Sequence, residues 1–197
     1  MADAPLLVIL TGPSGAGKDT LAAALGSRPD SNIGFAVTAT TRPPRAGEAD
    51  GRDYHFVSDA EFRRMVGDGE MLEHAIVYGQ HKGVPISSVR RILDQGKDVL
   101  LRTDVQGARF IKRQVHGALT IFVAPPSREE MERRLRERDS DTEDQVALRL
   151  KTASEEMDTA GEFDQTVVND DVERAATEIE AIIARERKRP GRQPLSL

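Results

Sequence analysis

Apolar residues recur along this chain with two different spacings. Leu6 to Thr11 is a continuous apolar run rich in branched side chains, closed by Gly12-Pro13, and reads as a buried strand. The same signature returns in Val99-Leu100-Leu101 within 98–104 and in Leu119 to Ala124, and Phe163 to Asn169 gives a last strand. Between these runs the spacing changes to that of helices. Thr20 to Leu25 has the composition of a helix start, and Ser58-Asp59-Ala60-Glu61 is a capping box opening a helix with Phe62, Met65 and Val66 on its apolar face. Ser87 is expected to cap a short helix through Val89 and Leu93, stopped by Gly96, and another helix is expected over 108–115. Capping boxes recur at Ser127–Glu130 and Thr142–Gln145, the latter opening a helix with Val146, Leu150, Ala153 and Met157 in phase. A last helix spans Val172 to about Arg187. Phe35 to Thr41 alternates as one strand, and Met71 to Tyr78 fits strand and helix equally.

Strands separated by helices imply an α/β protein with a mostly parallel sheet, because parallel pairing requires crossovers. A chain of 197 residues suits one domain, and 38% hydrophobic with 31% charged residues is the balance of a soluble globular chain. No apolar run approaches the roughly 20 residues of a membrane span. Met1 to Pro5 lacks Lys and Arg, so no signal or transit peptide is expected. The absence of cysteine excludes disulfides, thiol catalysis and thiolate metal sites, and fits a cytoplasmic location. A net charge of −5, with only 4% aromatic residues and no Trp, argues against nucleic-acid binding. The four histidines show no paired ligand spacing, and Glu129-Glu130 and Glu155-Glu156 read as helix surface.

Gly12-Pro13-Ser14-Gly15-Ala16-Gly17-Lys18-Asp19-Thr20 lies between the first strand and the first helix. There, glycines let successive N–H groups converge on phosphate oxygens, and the helix N-terminus adds further donors and a positive dipole end. Lys18 would reach the β- and γ-phosphates of a nucleotide. The strict pattern places Ser or Thr after the Lys to ligate magnesium, whereas Asp19 stands here and Thr20 comes one position late. A carboxylate beside a polyphosphate is repelled unless a cation lies between them. Asp19 and Thr20 are therefore expected to meet Mg²⁺, partly through its water shell.

From Thr38 onward the chain resembles the guanylate kinase family, which phosphorylates GMP with ATP. The matching stretches are Thr40-Thr41-Arg42-Pro43-Pro44-Arg45 with Gly47-Glu48, Asp50-Gly51-Arg52-Asp53-Tyr54-His55-Phe56-Val57, Leu72-Glu73, Gly79, Asp104-Val105-Gln106-Gly107-Ala108 and Val167-Val168-Asn169-Asp170. Arg42 and Arg45, three apart with two prolines between, suit forked hydrogen bonds to a monophosphate. The resemblance implies that Tyr54 joins them, that Glu73 accepts from guanine N1 and N2, and that Thr38 and Asp104 also contact the base. It implies that Arg138 and Arg149 reach over the transferring phosphoryl, with Lys18 and Arg42 completing the catalytic set, and that Asn169 lies near the adenine. The remaining arginines among 133, 134 and 136 read as a solvated helix face paired with Glu129, Glu132 and Glu137. The family plan further implies one domain over 1–185. Its core would be about 1–34, 86–126 and 156–185, with a GMP-binding part at 35–85 and a lid at 127–155. Residues 186–197 form a basic tail expected to be flexible.

Three further positions depart from the common family pattern. Lys82 and Val84 replace a phosphate-contacting Tyr and a base-contacting Ser or Thr, and Arg102 replaces an acid in Arg102-Thr103-Asp104. Lys82 can serve the GMP phosphate as a point charge, while Val84 removes a hydrogen bond worth about 0.5–1.5 kcal/mol. Arg102 removes a carboxylate while Asp19 adds one, and these variants resemble the plastid-type branch of the family. The expected activity is ATP + GMP to ADP + GDP, with Mg²⁺ carried by ATP and without nucleic-acid or membrane partners. The alternatives are a ribose 1,5-bisphosphate kinase-like sugar-phosphate kinase and a non-catalytic guanylate-kinase-like binding module.

Overall fold

The first strand, β1 (Leu7–Thr11), is buried along its whole length in the computed structural model, which describes residues 4–45, 47–77, 79–136 and 143–197. Its side chains alternate between two cores. Val8 and Leu10, with Leu6 before them, pack with α1 (Lys18–Gly26) and α7 (Val172–Arg187), while Leu7 and Ile9 pack toward α3 (Ile86–Leu93) and α4 (Val105–Gln114). Burial on both faces is why the run reads as unbroken apolar sequence. Around it lie β2 (Ile33–Phe35), β7 (Asp98–Arg102), β8 (Leu119–Ala124) and β9 (Gln165–Val168), in the order β2-β7-β1-β8-β9, all pairs parallel. The α/β expectation therefore holds, as helices on both faces of a parallel sheet.

A second, four-stranded sheet of order β4-β3-β6-β5 is built from β3 (Ala39–Thr40), β4 (His55–Phe56), β5 (Met71–Val77) and β6 (Gln80–Pro85). Phe62 of α2 (Asp59–Gly67) is buried there with Ala39 and Met71. Two expectations are corrected. The strand expected over 35–41 is two strands in two sheets, since the chain leaves the central sheet after Phe35 and enters the small one at Ala39. The short helix expected to be capped by Ser87 begins at Ile86 behind Pro85, whose fixed φ suits a helix start. Met71–Val77 resolves as a strand because β6, unforeseen in the sequence, gives it an antiparallel partner.

The Ser58 and Ser127 caps form as expected, donated to by the N–H groups of Glu61 and Glu130 at 3.1 and 3.2 Å. Thr142 lies outside the described residues. The helices α5 (Arg128–Arg136) and α6 (Glu143–Met157) meet through Met131, Leu135 and Ala153. The tail, expected to be flexible, is laid across the molecule. Leu195 and Leu197 pack on the α3/α4 core, Arg90 donates to the Leu197 carbonyl at 3.1 Å, and Arg192 to that of Ala4 at 3.0 Å. Among the described residues no helix is long and apolar enough to cross a membrane.

Candidate active site

The loop 12–17 leaves the carboxyl end of β1, the central strand, where ligands of open α/β sheets bind. Gly12, Gly15 and Gly17 hold φ of +134°, +85° and +82°, values that L side chains rarely adopt. Gly12 is further constrained, because a Cβ there would stand 2.2 Å from the Val123 carbonyl oxygen of β8. Lys18 begins α1, and its Nζ donates to the carbonyls of Gly12 and Pro13 at 2.6 and 3.0 Å, closing the loop on itself. Asp19 and Thr20 are exposed on the first turn of α1. The Asp19 carboxylate accepts from Arg102 Nη1 at 2.9 Å.

Asn169, just past β9, is 2% exposed, and its Nδ2 donates to the Ala16 carbonyl at 2.8 Å. It thus braces the loop from the neighbouring strand end. Two further side chains reach the loop that the sequence reading left on helix surfaces. Arg134 of α5 is half-buried and donates to the Asn169 carbonyl at 3.2 Å. Glu156 of α6 accepts from the Ser14 N–H, and burial beside the Asp104 carboxylate pushes its pKa up against the opposing pull of Lys18. No signal of spacing marks either residue, since each faces the loop only once α5 and α6 have folded over it.

The small sheet carries the second half of the site. Arg42 is 8% exposed and binds Glu48 through both terminal nitrogens, at 2.7 and 2.5 Å. Glu48 also accepts from the Arg45 N–H at 2.7 Å, and these donors hold its carboxyl down to about 2. The Arg42 guanidinium lies 4.8 Å from the Tyr54 ring centre, and Lys82 Nζ lies 5.9 Å from the same ring. Arg42, Tyr54 and Lys82 are thereby gathered from β3, β4 and β6 neighbourhoods into one cationic cluster, with Arg45 exposed beside it. Thr38 is half-buried ahead of β3, its carbonyl accepting from the His55 N–H at 2.9 Å.

Glu73 on β5 faces Asp104, whose carboxylate caps α4 by accepting from the Gly107 N–H at 2.7 Å. Burial, with the Asp104 charge adding to it, pushes Glu73 up to about 7. Val84, opposite Glu73 in the register, is buried in the α3/α4 core. Arg138 lies outside the described residues, and Arg149 is on α6 with its side chain also outside them. No group of three or more His, Asp and Glu side chains placed to hold a metal is found among the described residues.

A parallel sheet with a glycine loop and lysine at its central strand end, joined to a second sheet bearing cations and a desolvated carboxylate, defines a P-loop nucleotide-binding protein with an acceptor site. The family model described as guanylate kinase matches residues 5–186, and the chain belongs to that family. It is 44% identical over 187 residues to the guanylate kinase of Alkalilimnicola ehrlichii, covering 95% of this chain and 92% of that one. The guanylate kinase of Clostridium perfringens is 43% identical over 187 residues, covering 95% and 86%. Among solved structures, the guanylate kinase from Anaplasma phagocytophilum superposes with a TM-score of 0.75 at 34% identity, covering 97% of this chain and 90% of that one.

Proposed function

We infer that this chain transfers the terminal phosphoryl group of ATP to GMP, giving ADP and GDP. The observation that carries the reading is the carboxylate pair of desolvated Glu73 and Asp104, Asp104 acting in turn on Glu156 at the Ser14 N–H of the glycine loop, in a chain that also gathers the Arg42–Tyr54–Lys82 cluster. A carboxylate suits guanine because that base presents N1 and N2 as donors, whereas adenine presents N1 as an acceptor. Burying it strengthens each hydrogen bond it accepts and makes an acceptor-edged base costly.

In this reading the N–H groups of loop 12–17 and Lys18 hold the ATP phosphates, and Asn169 serves the nucleotide through the loop it braces. Arg45, Tyr54 and Lys82 hold the GMP phosphate, with Arg42 fixing their geometry and adding charge. Glu73, Asp104 and Thr38 receive the base. Phosphoryl transfer passes through a loose transition state with charge spread over the oxygens, so catalysis is alignment plus cations. Arg138 and Arg149, on the segment 127–155, are assigned to that charge. Closure of that segment would exclude water and protect ATP from hydrolysis. Asp19 and Thr20 offer the hard oxygen donors that Mg²⁺ prefers, next to the loop that would hold the phosphates, and the ion supplies charge neutralisation when bound.

The test is coupled ADP release with MgATP and a panel of GMP, dGMP, AMP, UMP and ribose 1,5-bisphosphate. GMP is expected to turn over well above AMP, UMP and the sugar phosphate. Turnover of ribose 1,5-bisphosphate with GMP inert would leave the phosphate loop and overturn the acceptor site. Nucleotide binding with no acceptor turning over would make the chain a binding module.

A further inference from the structure

The loop carries a negative charge where nucleotide phosphates are to arrive, and the fold has already answered it. Asp19 is 79% exposed on the first turn of α1, and among the described residues the Arg102 guanidinium is the one hydrogen-bond partner of its carboxylate, at 2.9 Å. The two residues are 83 positions apart in sequence and meet because Arg102 ends β7 in register with Leu10 of β1, the strand that feeds the loop. Arg102 is steadied from the other side by the Phe35 ring, 5.9 Å from its guanidinium carbon. Both members therefore stand on rigid elements at the carboxyl edge of the central sheet.

We propose that Arg102 is a positioning residue that acts on the nucleotide through Asp19, serving as the carboxylate's counter-ion until magnesium takes that place. This rests on the reading that loop 12–17 binds MgATP. Without a counter-ion, Asp19 would repel the incoming phosphates and offset the attraction of Lys18; with Arg102 beside it, the carboxylate's charge is balanced and the Lys18 charge at the loop is left to act. The handover is easy because both side chains are substantially exposed, at 44% and 79%, and such ion pairs shift equilibria by only about two- to five-fold. A divalent ion brought by ATP competes well against so weak a partner. Arg102 and Asp19 thus form one functional unit.

The test measures ATP affinity by displacement of a fluorescent ATP analogue, once in EDTA and once in saturating Mg²⁺, for four proteins. These are the unaltered chain, Arg102→Ala, Asp19→Ser and the double variant, each checked for an unchanged melting transition. Arg102→Ala is expected to weaken metal-free ATP binding by about five-fold while leaving MgATP binding within about two-fold, so the gain from metal rises. In the Asp19→Ser background the same Arg102 substitution should leave the gain from metal unchanged, because no carboxylate remains to be neutralised. Arg102→Lys should restore part of the metal-free affinity. An equal effect of Arg102→Ala in both backgrounds would mean that Arg102 acts directly on phosphate and would overturn the proposal. So would an Arg102→Ala protein that binds ATP as the unaltered chain does under both conditions. If the unaltered chain bound ATP under neither condition, the kinase reading itself would fall, a result distinct from these.

Discussion

Glu73 shows at the scale of a single residue how binding chemistry is stored as a cost. Its carboxyl is lifted from 4.5 to about 7 because the folded chain buries it beside Asp104. The unfolded chain releases this proton near pH 4.5, so between there and pH 7 the unfolded state binds fewer protons and stability falls as pH rises. Glu73→Gln is therefore expected to raise the melting temperature at pH 8 and to change it little at pH 4.5, as scanning calorimetry would register. The same substitution should lower kcat/KM for GMP by about 100-fold at pH 8, since the amide replaces an acceptor with a donor. For the unaltered protein, KM for GMP should rise as pH falls through about 7, with KM for ATP less affected. Calorimetry at pH 7 in two buffers of different ionisation enthalpy should detect proton release on GMP binding. A KM for GMP that is flat from pH 6 to 8 would contradict this assignment.

At the scale of elements, the phosphate loop is shaped as much by its neighbours as by its own glycines. Gly12 has φ +134° and lies against the β8 backbone, where any Cβ would meet the Val123 carbonyl oxygen at 2.2 Å. Neither atom can yield without parting β1 from β8, which are paired from Val8↔Leu119 to Thr11↔Phe122. Gly12→Ala is expected to cost about 3 kcal/mol or more and to shift the urea midpoint accordingly. Its ATP affinity should be lost even in the fraction that folds. A Gly12→Ala protein with the unaltered midpoint would show that the loop can move away from β8. The turn of chain after β2 follows the same logic: residues 36–38 carry it from the central sheet to the small one, so an alternating run becomes two short strands.

Across the whole molecule, Asp98 ties the ends of the chain to the sheet from the side opposite the candidate site. It is 2% exposed at the start of β7, accepts from the Leu6 N–H at 2.9 Å, and pairs with Arg187 at the end of α7. Asp98→Ala would strand a buried N–H and a half-buried guanidinium, at an expected cost of about 2–4 kcal/mol in denaturant unfolding. GMP turnover per folded molecule should stay within about two-fold, because the change lies at the amino ends of strands whose carboxyl ends form the site. A large loss of turnover at full folding would reveal a coupling between the two edges.

The sequence by itself determined the strands buried on both faces, the Ser58 and Ser127 helix caps and the phosphate loop, because each depends on spacing within a few residues. β1 is legible since both its faces are buried, and the loop since glycine, lysine and helix start must be contiguous to cradle a phosphate. The resemblance of ordered motifs likewise pointed to Arg42, Tyr54, Glu73 and Asp104; Glu73 lies in β5, Asp104 caps α4, and Arg42 and Tyr54 meet just after β3 and just before β4. Only the tertiary structure decided which charges meet. Glu73 faces Asp104, Arg102 pairs with Asp19 and Glu156 turns to the Ser14 N–H because of strand order, register and the packing of α6 over the loop. The same holds for the seating of Leu195 and Leu197 on the α3/α4 core, where a tail rich in charge and proline read as unattached. Local pattern records the backbone's own periodicity, whereas an ion pair across 83 residues exists only once the sheet has set the distance between its strand ends.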